Sequence, residues 1–408
     1  MHASSNRKRA IVVTYWHRPE TNSPRAHHTE GIISSLRACG VEVDSVFPLL
    51  PGVQYDTHED KGLREHPVKP GFFLHKSKYT KSGPEKSGKS GVKAKILRWA
   101  NKHLLWPDRT IEFSIMALRY IENNLVPASA DCIVTVGLPL SCHIVGSRLK
   151  RKYPEIRWTA DYGDPYTFAS GENAFKRKDK VLESRMLKNV DAVTIPVEDV
   201  KWCYERLGVA TKSLHVIPQL YTTDIAATTE YDVDVGAFNV ACIGTLYCDN
   251  SELQEFVSAL SILRKSGILV VFHMFGLIGP FRDAMRELGE EMNPCEWRLT
   301  DYLPRKELGA ILRKMDALIC FTTKKAHGAG QRPSRYIEYV YSGRPFFNIG
   351  PGIKGFPNAA CDRNEIASIL ASIHNGVFHF DYSRLLKEFD FKTNSGRMAD
   401  IITGNERN

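Results

Sequence analysis

Long apolar runs are missing: nowhere do the 408 residues offer the ~20 consecutive apolar positions that a membrane-spanning helix needs. Paired cysteines are missing too. The nine cysteines are odd in number and scattered, with no C-x-x-C pair and no zinc-like spacing, which is how reduced cytosolic thiols look. The opening MHASSNRKRA has no apolar core of a secretory signal and runs straight into a strand-like segment. These absences predict a cytoplasmic protein. With 43% hydrophobic and 25% charged residues, wholesale disorder and collagen-like repeats are excluded as well. What is abundant is local. Between Lys61 and Thr110 thirteen Lys and Arg face three acids, an excess that exceeds the net charge of +9 for the whole chain, so the remainder is near neutral.

The pattern of the rest is strand, helix, strand. Ala10–Tyr15 is an apolar run of the kind buried in parallel sheets, followed by the polar turn WHRPETNSPR, a helix from about Ala26 to Cys39, and a strand over Val41–Phe47. Pro51 to Gly91 is rich in Lys, Ser, Gly and Pro and too polar to pack on its own, and an amphipathic stretch follows from Ile96 to Leu105. Strands at Cys132–Val136, Ile156–Asp161, Ala192–Ile195 and Leu214–Ile217 alternate with helices. Pro218 to Gly236 then loses periodicity and reads as a linker. A second alternation runs from Asn239 to Ile349, and FDFKTNSGRMADII adds one more helical pattern beyond it. Such alternation predicts an α/β protein of two doubly wound Rossmann-like domains facing a cleft.

Several motifs invite chemistry. Gly83–Ser90 matches the phosphate-loop pattern, but the preceding HKSKYTKS cannot form the buried strand that such a loop needs. His17, Glu20, His27 and His28 lack the zincin spacing, and adjacent helical residues point about 100° apart, so no metal site is expected. Their loop follows the first strand, where open parallel sheets hold ligands, and Arg25 there could meet an anion or be a solvated surface charge. Pro333 opens a helix in Gln331–Glu338, where the Ser334 hydroxyl, the Arg335 guanidinium and free amides could form an anion pocket. Glu338, one turn beyond Ser334, could accept hydrogen bonds from a ribose diol; the alternative is a solvent-facing Arg335–Glu338 pair. Gly244-Thr245 and Gly276 end strands where backbone approaches a ligand or merely turns tightly. His143 lies in the first turns of a helix, as ligand or as structural histidine, and Asp161 and Asp164 follow a strand as polar ligands or helix caps.

Taken in order, TYWHRPETNSPRAHH, WPDR at Trp106–Arg109, DCIVTVGLPLSCHIVGSRL, ADYGDP, HVIPQ, IGTLY and QRPSRYIEYVYSGRPFF resemble glycosyltransferases of the two-Rossmann-domain GT-B architecture, in the group called family 4 or group 1. The resemblance covers nearly the whole chain. It implies an acceptor domain over 1–217, a nucleotide-sugar domain over 218–385 and a final helix over 386–408 returning to the first domain. It further implies transfer of a sugar from a nucleotide sugar to a glycan or lipid-linked acceptor, with Glu338 at the ribose and Ser334 and Arg335 near the diphosphate. Gly244, Thr245 and Gly276 join this donor set, while His143, Asp164 and Arg25 form the catalytic set of the N-terminal domain. The group's first glutamate, eight residues before the second, falls on Gly330, and its Arg and Lys after the IGTLY turn are replaced by CDNSELQEF. A non-catalytic nucleotide-sugar-binding protein on the same fold is therefore the alternative.

Catalysis of this kind rests on stabilising the leaving diphosphate with cationic side chains and helix N-termini. No D-x-D-like metal site and no paired carboxylates of the glycoside-hydrolase kind stand out, so neither metal nor cofactor is expected, and the resemblance implies retention at the anomeric carbon. The basic stretch 61–110 predicts peripheral attachment to an anionic membrane surface, on its inner face. Aromatics are sparse in its most basic part, and no nucleic-acid partner is expected.

Overall fold

The computed structural model describes residues 7–17, 23–49, 62–69, 106–108, 110–125, 127–168, 176–221, 226–245, 250–288, 295–322, 333–352, 356 and 359–405. The phosphate-loop match at Gly83–Ser90, the amphipathic stretch Ile96–Leu105 and Gly330 lie outside the described residues. The chain divides into two compact units, Met1–Thr222 with Asp390–Asn408, and Thr223–Phe389.

The first unit runs β1 (Arg9–Thr14), α1 (Pro24–Ala38), β2 (Glu42–Pro48), β3 (Leu63–Val68), α2 (Ile111–Asn124), β4 (Cys132–Val136), α3 (Ser141–Lys152), β5 (Arg157–Asp161), α4 (Lys176–Leu187), β6 (Ala192–Ile195), α5 (Lys201–Glu205) and β7 (Leu214–Val216). Its seven strands pair in the order β3-β2-β1-β4-β5-β6-β7, and every pairing is parallel. The apolar run of β1 is covered on both faces. Ile11 and Val13 pack with Phe113, Ala117 and Ile121 of α2, while Ala10 and Val12 pack with Ile32 and Leu36 of α1. This two-residue alternation between cores is what a strand buried on both sides requires.

Two parts of this unit depart from the sequence expectation. The polar Pro51–Gly91 segment contributes the edge strand β3, whose end residues Leu63 and Val68 reach the two cores while charge holds its middle. Asp44 of β2, fully buried, accepts from Arg9 Nε (2.6 Å), Arg64 Nε (2.8 Å) and His66 Nε2 (2.8 Å). Burial pushes its carboxyl up, but His66, Arg64 and Arg9 outweigh that and hold it well below the usual carboxylate range. On the other face, His17 bridges Ser45 and Glu65 and stacks on Phe47 at 3.9 Å. The second departure is α2, which completes one core and which the strand–helix alternation had not included.

The second unit runs β8 (Phe238–Thr245), α6 (Asn250–Lys265), β9 (Val270–Leu277), α7 (Ile278–Leu288), β10 (Glu296–Thr300), α8 (Arg305–Leu312), β11 (Ala317–Phe321), α9 (Arg335–Ser342), β12 (Phe346–Ile349), β13 (Ala359–Ala360), α10 (Arg363–His374) and α11 (Ser383–Glu388). Its parallel strands lie in the order β10-β9-β8-β11-β12-β13. The aperiodic 226–237 stretch is tied onto this unit. Lys314 Nζ donates to the carbonyls of Thr229 and Tyr231, and the Tyr231 hydroxyl meets the buried His273 at 2.9 Å.

The last helix, α12 (Phe391–Thr403), belongs to the first unit. Met398, Ile401 and Ile402 enter the core beneath α1, and Ser395 Oγ meets Ser35 Oγ at 2.7 Å. Arg157 Nε donates to the Ile401 carbonyl at 2.9 Å. Burying each of those three side chains is worth about 1.5–3 kcal/mol, enough to make α12 integral to the unit.

Candidate active site

In the second unit the strand order reverses between β8 and β11, and the candidate donor residues gather at the carboxyl ends beside that switch point. Gly244 and Gly276 are register partners with φ of +84° and +123°. A Cβ on Gly276 would lie 2.8 Å from the Gly244 carbonyl oxygen, so the two strand ends touch there as only glycines allow. Arg335 lies over this pair. Its buried guanidinium donates from Nη2 to the Thr245 carbonyl at 2.7 Å, and a Cβ on Gly244 would meet it at 3.4 Å.

Helix α9 begins at Arg335, two residues later than the proline predicts. Tyr336 and Ile337 donate to the Pro333 and Ser334 carbonyls in a tight i→i−3 turn. Ser334 sits just before the helix, partly exposed, and its side chain makes no cap bond. The Tyr339 hydroxyl anchors the helix by donating to the Ile319 carbonyl (2.8 Å) and accepting from the Ile243 amide (3.1 Å). Gly343 at φ 69° ends it. The solvent-facing Arg335–Glu338 pair does not form. Arg335 turns to β8, while Glu338 Oε1 pairs with Arg305 Nε at 3.2 Å. Glu338 Oε2 is buried without a hydrogen-bond partner.

In the first unit the order reverses between β1 and β4, and Arg25, His143 and Asp164 follow β1, β4 and β5 respectively. Ser23 caps α1 through the Arg25 amide (3.3 Å), with Pro24 at the first helical position. The Arg25 guanidinium lies directly on Gly163, where a Cβ would fall 0.9 Å from Nη2. Nη1 stands 3.6 Å from Asp161 Oδ2, and both terminal nitrogens are buried without a hydrogen bond.

Asp161 is the hub that the sequence left between two readings. The Leu220 amide donates to His28 Nδ1 at 2.8 Å, which fixes the ring proton on Nε2, and this donates to Asp161 Oδ2 at 3.0 Å. Thr194 Oγ1 donates to Asp161 Oδ1 at 2.7 Å. Burial pushes the Asp161 carboxyl up, but His28, Arg25 and Thr194 outweigh that and hold it below its ordinary value, so it stays anionic. Burial pushes Asp164 up, opposed by Arg25.

His143 is fully buried. Its Nδ1 meets Thr135 Oγ1 at 2.8 Å, and that hydroxyl also accepts from Trp158 Nε1 at 2.9 Å. Trp158 takes one lone pair of that hydroxyl, which can still donate to Nδ1 or accept from it, and Nε2 faces Gly137 without a hydrogen-bond partner. Burial pushes its pKa down to about 3, with Asp161 opposing, so the ring is neutral throughout the ordinary pH range. Its ring lies 4.2 Å from that of Tyr162. Beneath this turn Glu183 of α4 accepts from the Thr167 amide at 3.1 Å and from the Thr167 hydroxyl.

Sequence reasoning left Asp161 between polar ligand and helix cap, weighed His28 only as a metal ligand, and did not pair the two. The available signal was spacing, since His28 stands three residues after Arg25 on one helix face. Among the described residues no group of three or more His, Cys, Asp or Glu side chains is arranged to hold a metal ion, and no helix is long and apolar enough to cross a membrane.

No family model and no curated protein matches this chain. Solved structures do. The trehalose-6-phosphate synthase OtsA superposes with a TM-score of 0.57 at 11% identity, over 98% of this chain and 97% of its own. The catalytic domain of starch synthase IV from Arabidopsis thaliana, bound to ADP and acarbose, gives 0.58 at 12% identity, over 97% of this chain and 100% of its own. The lipopolysaccharide outer core galactosyltransferase WaaB, in its apo form, gives 0.53 at 10% identity over 98% and 100%. The fold is that of the GT-B glycosyltransferases. On this GT-B fold each of the two clusters stands at the carboxyl ends of strands flanking a switch point, the place where open parallel sheets take ligands.

Proposed function

We propose that the protein is a glycosyltransferase that takes a nucleotide sugar on its second unit and presents acceptor-side groups on its first. The observation that carries this reading is the presence, at both switch points, of buried polar atoms without partners: Glu338 Oε2 in one unit, Arg25 Nη1 and Nη2 and His143 Nε2 in the other. An unsatisfied buried donor or acceptor costs about 1–3 kcal/mol, and sugar and ribose hydroxyls are the groups that would satisfy this set. Glu338 Oε2 is the acceptor for a ribose hydroxyl, and Arg305 neutralises the same carboxylate beside an anionic donor.

The chemistry is departure of a nucleoside diphosphate from the anomeric carbon. Arg335 adds positive charge at the end of β8, and the first turn of α9 adds its dipole; one such preorganised donor is worth about 2.7–4 kcal/mol of barrier. Arg25 and Nε2 of the neutral His143 hold sugar hydroxyls, and Asp164 accepts a hydrogen bond from one. The reaction proceeds without a metal and with retention, the acceptor is a glycan or a lipid-linked sugar, and the product is a surface polysaccharide or glycolipid. The basic stretch 61–110 holds the enzyme at an anionic membrane surface.

The alternative of a non-catalytic nucleotide-sugar-binding protein has one observation in its favour: the Arg335 guanidinium is engaged by the Thr245 carbonyl. A thermal-shift panel of nucleotide sugars with chelator present tests the shared part of both readings, because a ligand that binds the native state raises the melting temperature. A panel that leaves the melting temperature unmoved for every nucleotide sugar removes both.

A further inference from the structure

Trp106–Asp108 lies near the end of the basic stretch 61–110 and touches the helix that carries His143 and the turn that carries Asp164. Asp108 Oδ2 accepts from the Ser141 amide at 2.9 Å. Its Oδ1 accepts from the Ser141 hydroxyl, the Thr110 amide (2.9 Å) and the Thr110 hydroxyl (2.6 Å). Ser141 opens α3, and Leu140 before it has no side chain able to cap, so the capping carboxylate comes from a distant part of the chain. The first amides of a helix have no partner within it, and a carboxylate there satisfies one and complements the dipole. His143 belongs to the same turn, its amide bonded to the Leu140 carbonyl at 2.9 Å.

The neighbouring residues grip the other side. Trp106 Nε1 donates to Asp179 Oδ1 at 2.8 Å, and the Tyr166 hydroxyl donates to the Pro107 carbonyl at 2.6 Å. Tyr166 stands two residues after Asp164. Helix α4 therefore holds the segment through Asp179 and the Asp164 turn through Glu183, one helical turn further on.

We propose that Asp108 is the positioning residue for His143, and that Trp106–Asp108 sets His143 and the Asp164 turn in one geometry. The proposal rests on the reading of those two side chains as acceptor-side groups. Both Asp108 oxygens accept, so an amide is no substitute: in Asp108→Asn an NH2 faces a donor at either position. The first turn of α3 then loses its outside cap, and the His143–Thr135 bond loses its fixed geometry.

The test uses the full-length protein with 15N-labelled histidine, the His143 ring resonances being assigned from a His143→Asn spectrum. In Asp108→Asn those resonances shift and kcat falls tenfold or more, with nucleoside-diphosphate affinity unchanged. Thr110→Val removes a bond to the same carboxylate on the α2 side, and it leaves the His143 resonances and kcat at wild-type values while lowering Tm. Unshifted His143 resonances in folded Asp108→Asn overturn the proposal, as does a Thr110→Val variant that moves them equally. Should Asp108→Asn fail to fold, Ser141→Ala carries the same comparison. A wild type without transfer removes the glycosyltransferase reading, while the resonances still decide the positioning.

Discussion

Gly163→Ala tests whether Arg25 works from where it lies. The backbone at Gly163 is not left-handed, so alanine meets no conformational penalty, and its effect comes from its Cβ alone. That carbon would occupy the space of the guanidinium, 0.9 Å from Nη2, and Arg25 must leave. The side chain as a whole is 12% exposed although its terminal nitrogens are buried, so the guanidinium has a route outward that leaves the sheet in place. Asp161 keeps His28 and Thr194 as partners and loses a cation 3.6 Å away, while the two unpartnered guanidinium nitrogens gain water, so the stability cost stays below about 1–3 kcal/mol. The loss in rate is larger. If Arg25 holds a sugar hydroxyl or developing charge, its departure removes an interaction worth about two to three powers of ten in kcat. Denaturant unfolding supplies the first quantity and steady-state transfer the second. A double-mutant cycle closes the argument, because Gly163→Ala adds no further loss in an Arg25→Ala background when it acts only through that side chain. Wild-type transfer in Gly163→Ala, or additive losses in the double variant, would refute the reasoning.

Glu338→Ala lowers nucleoside-diphosphate affinity by about 1.5–3 kcal/mol, the loss expected for a hydrogen bond to a charged acceptor; unchanged affinity by calorimetry removes Glu338 from the donor site. Burial pushes Glu183 up to about 7, with the Thr167 bonds opposing. Between its ordinary value and 7 the native state binds more protons than the unfolded chain, so stability falls as pH rises through that window. Glu183→Gln flattens this fall, and an unfolding series from pH 5 to 8 with the same slope in both proteins contradicts the assignment. The basic stretch carries the protein onto anionic liposomes at low salt and releases it at high salt as the Debye length shortens. The combined change of Lys86, Lys89, Lys93 and Lys95 to glutamate abolishes that sedimentation, and equal recovery of variant and wild type in the supernatant denies the stretch a membrane role.

The architecture was legible wherever burial leaves an apolar run. Ile11 and Val13 on one face of β1, with Ala10 and Val12 on the other, are apolar because both faces are covered, and the runs at Cys132–Val136 and Ala317–Phe321 read the same way. β3 was illegible for the opposite reason. Leu-Arg-Glu-His-Pro-Val looks like a surface loop until Asp44 and His17, distant in sequence, supply its partners. Helix α2 did carry a signal, in Phe113, Ala117 and Ile121 four apart, overlooked because it falls between the basic stretch and the resumed strand–helix alternation.

The candidate site divides along the same line. Glycines and polar residues just beyond apolar runs mark strand ends, so Gly244, Gly276, Arg25, His143 and Asp164 could be picked out from position alone. Which of their atoms stay free depends on partners far along the chain. Leu220 orients His28, and Thr245 draws Arg335 away from Glu338. Asp108 caps a helix 33 residues away, and no local pattern announces that contact.

The central claim is glycosyl transfer with the donor held by Glu338. Its most direct test is release of nucleoside diphosphate from the stabilising nucleotide sugar when an acceptor is supplied, followed in wild type and in Glu338→Ala. Acceptor-dependent release by the wild type and a drop in kcat/KM of tenfold or more in the variant are the predicted results. A wild type that binds the donor and releases nothing with any acceptor contradicts the account, and so does a Glu338→Ala enzyme as active as wild type.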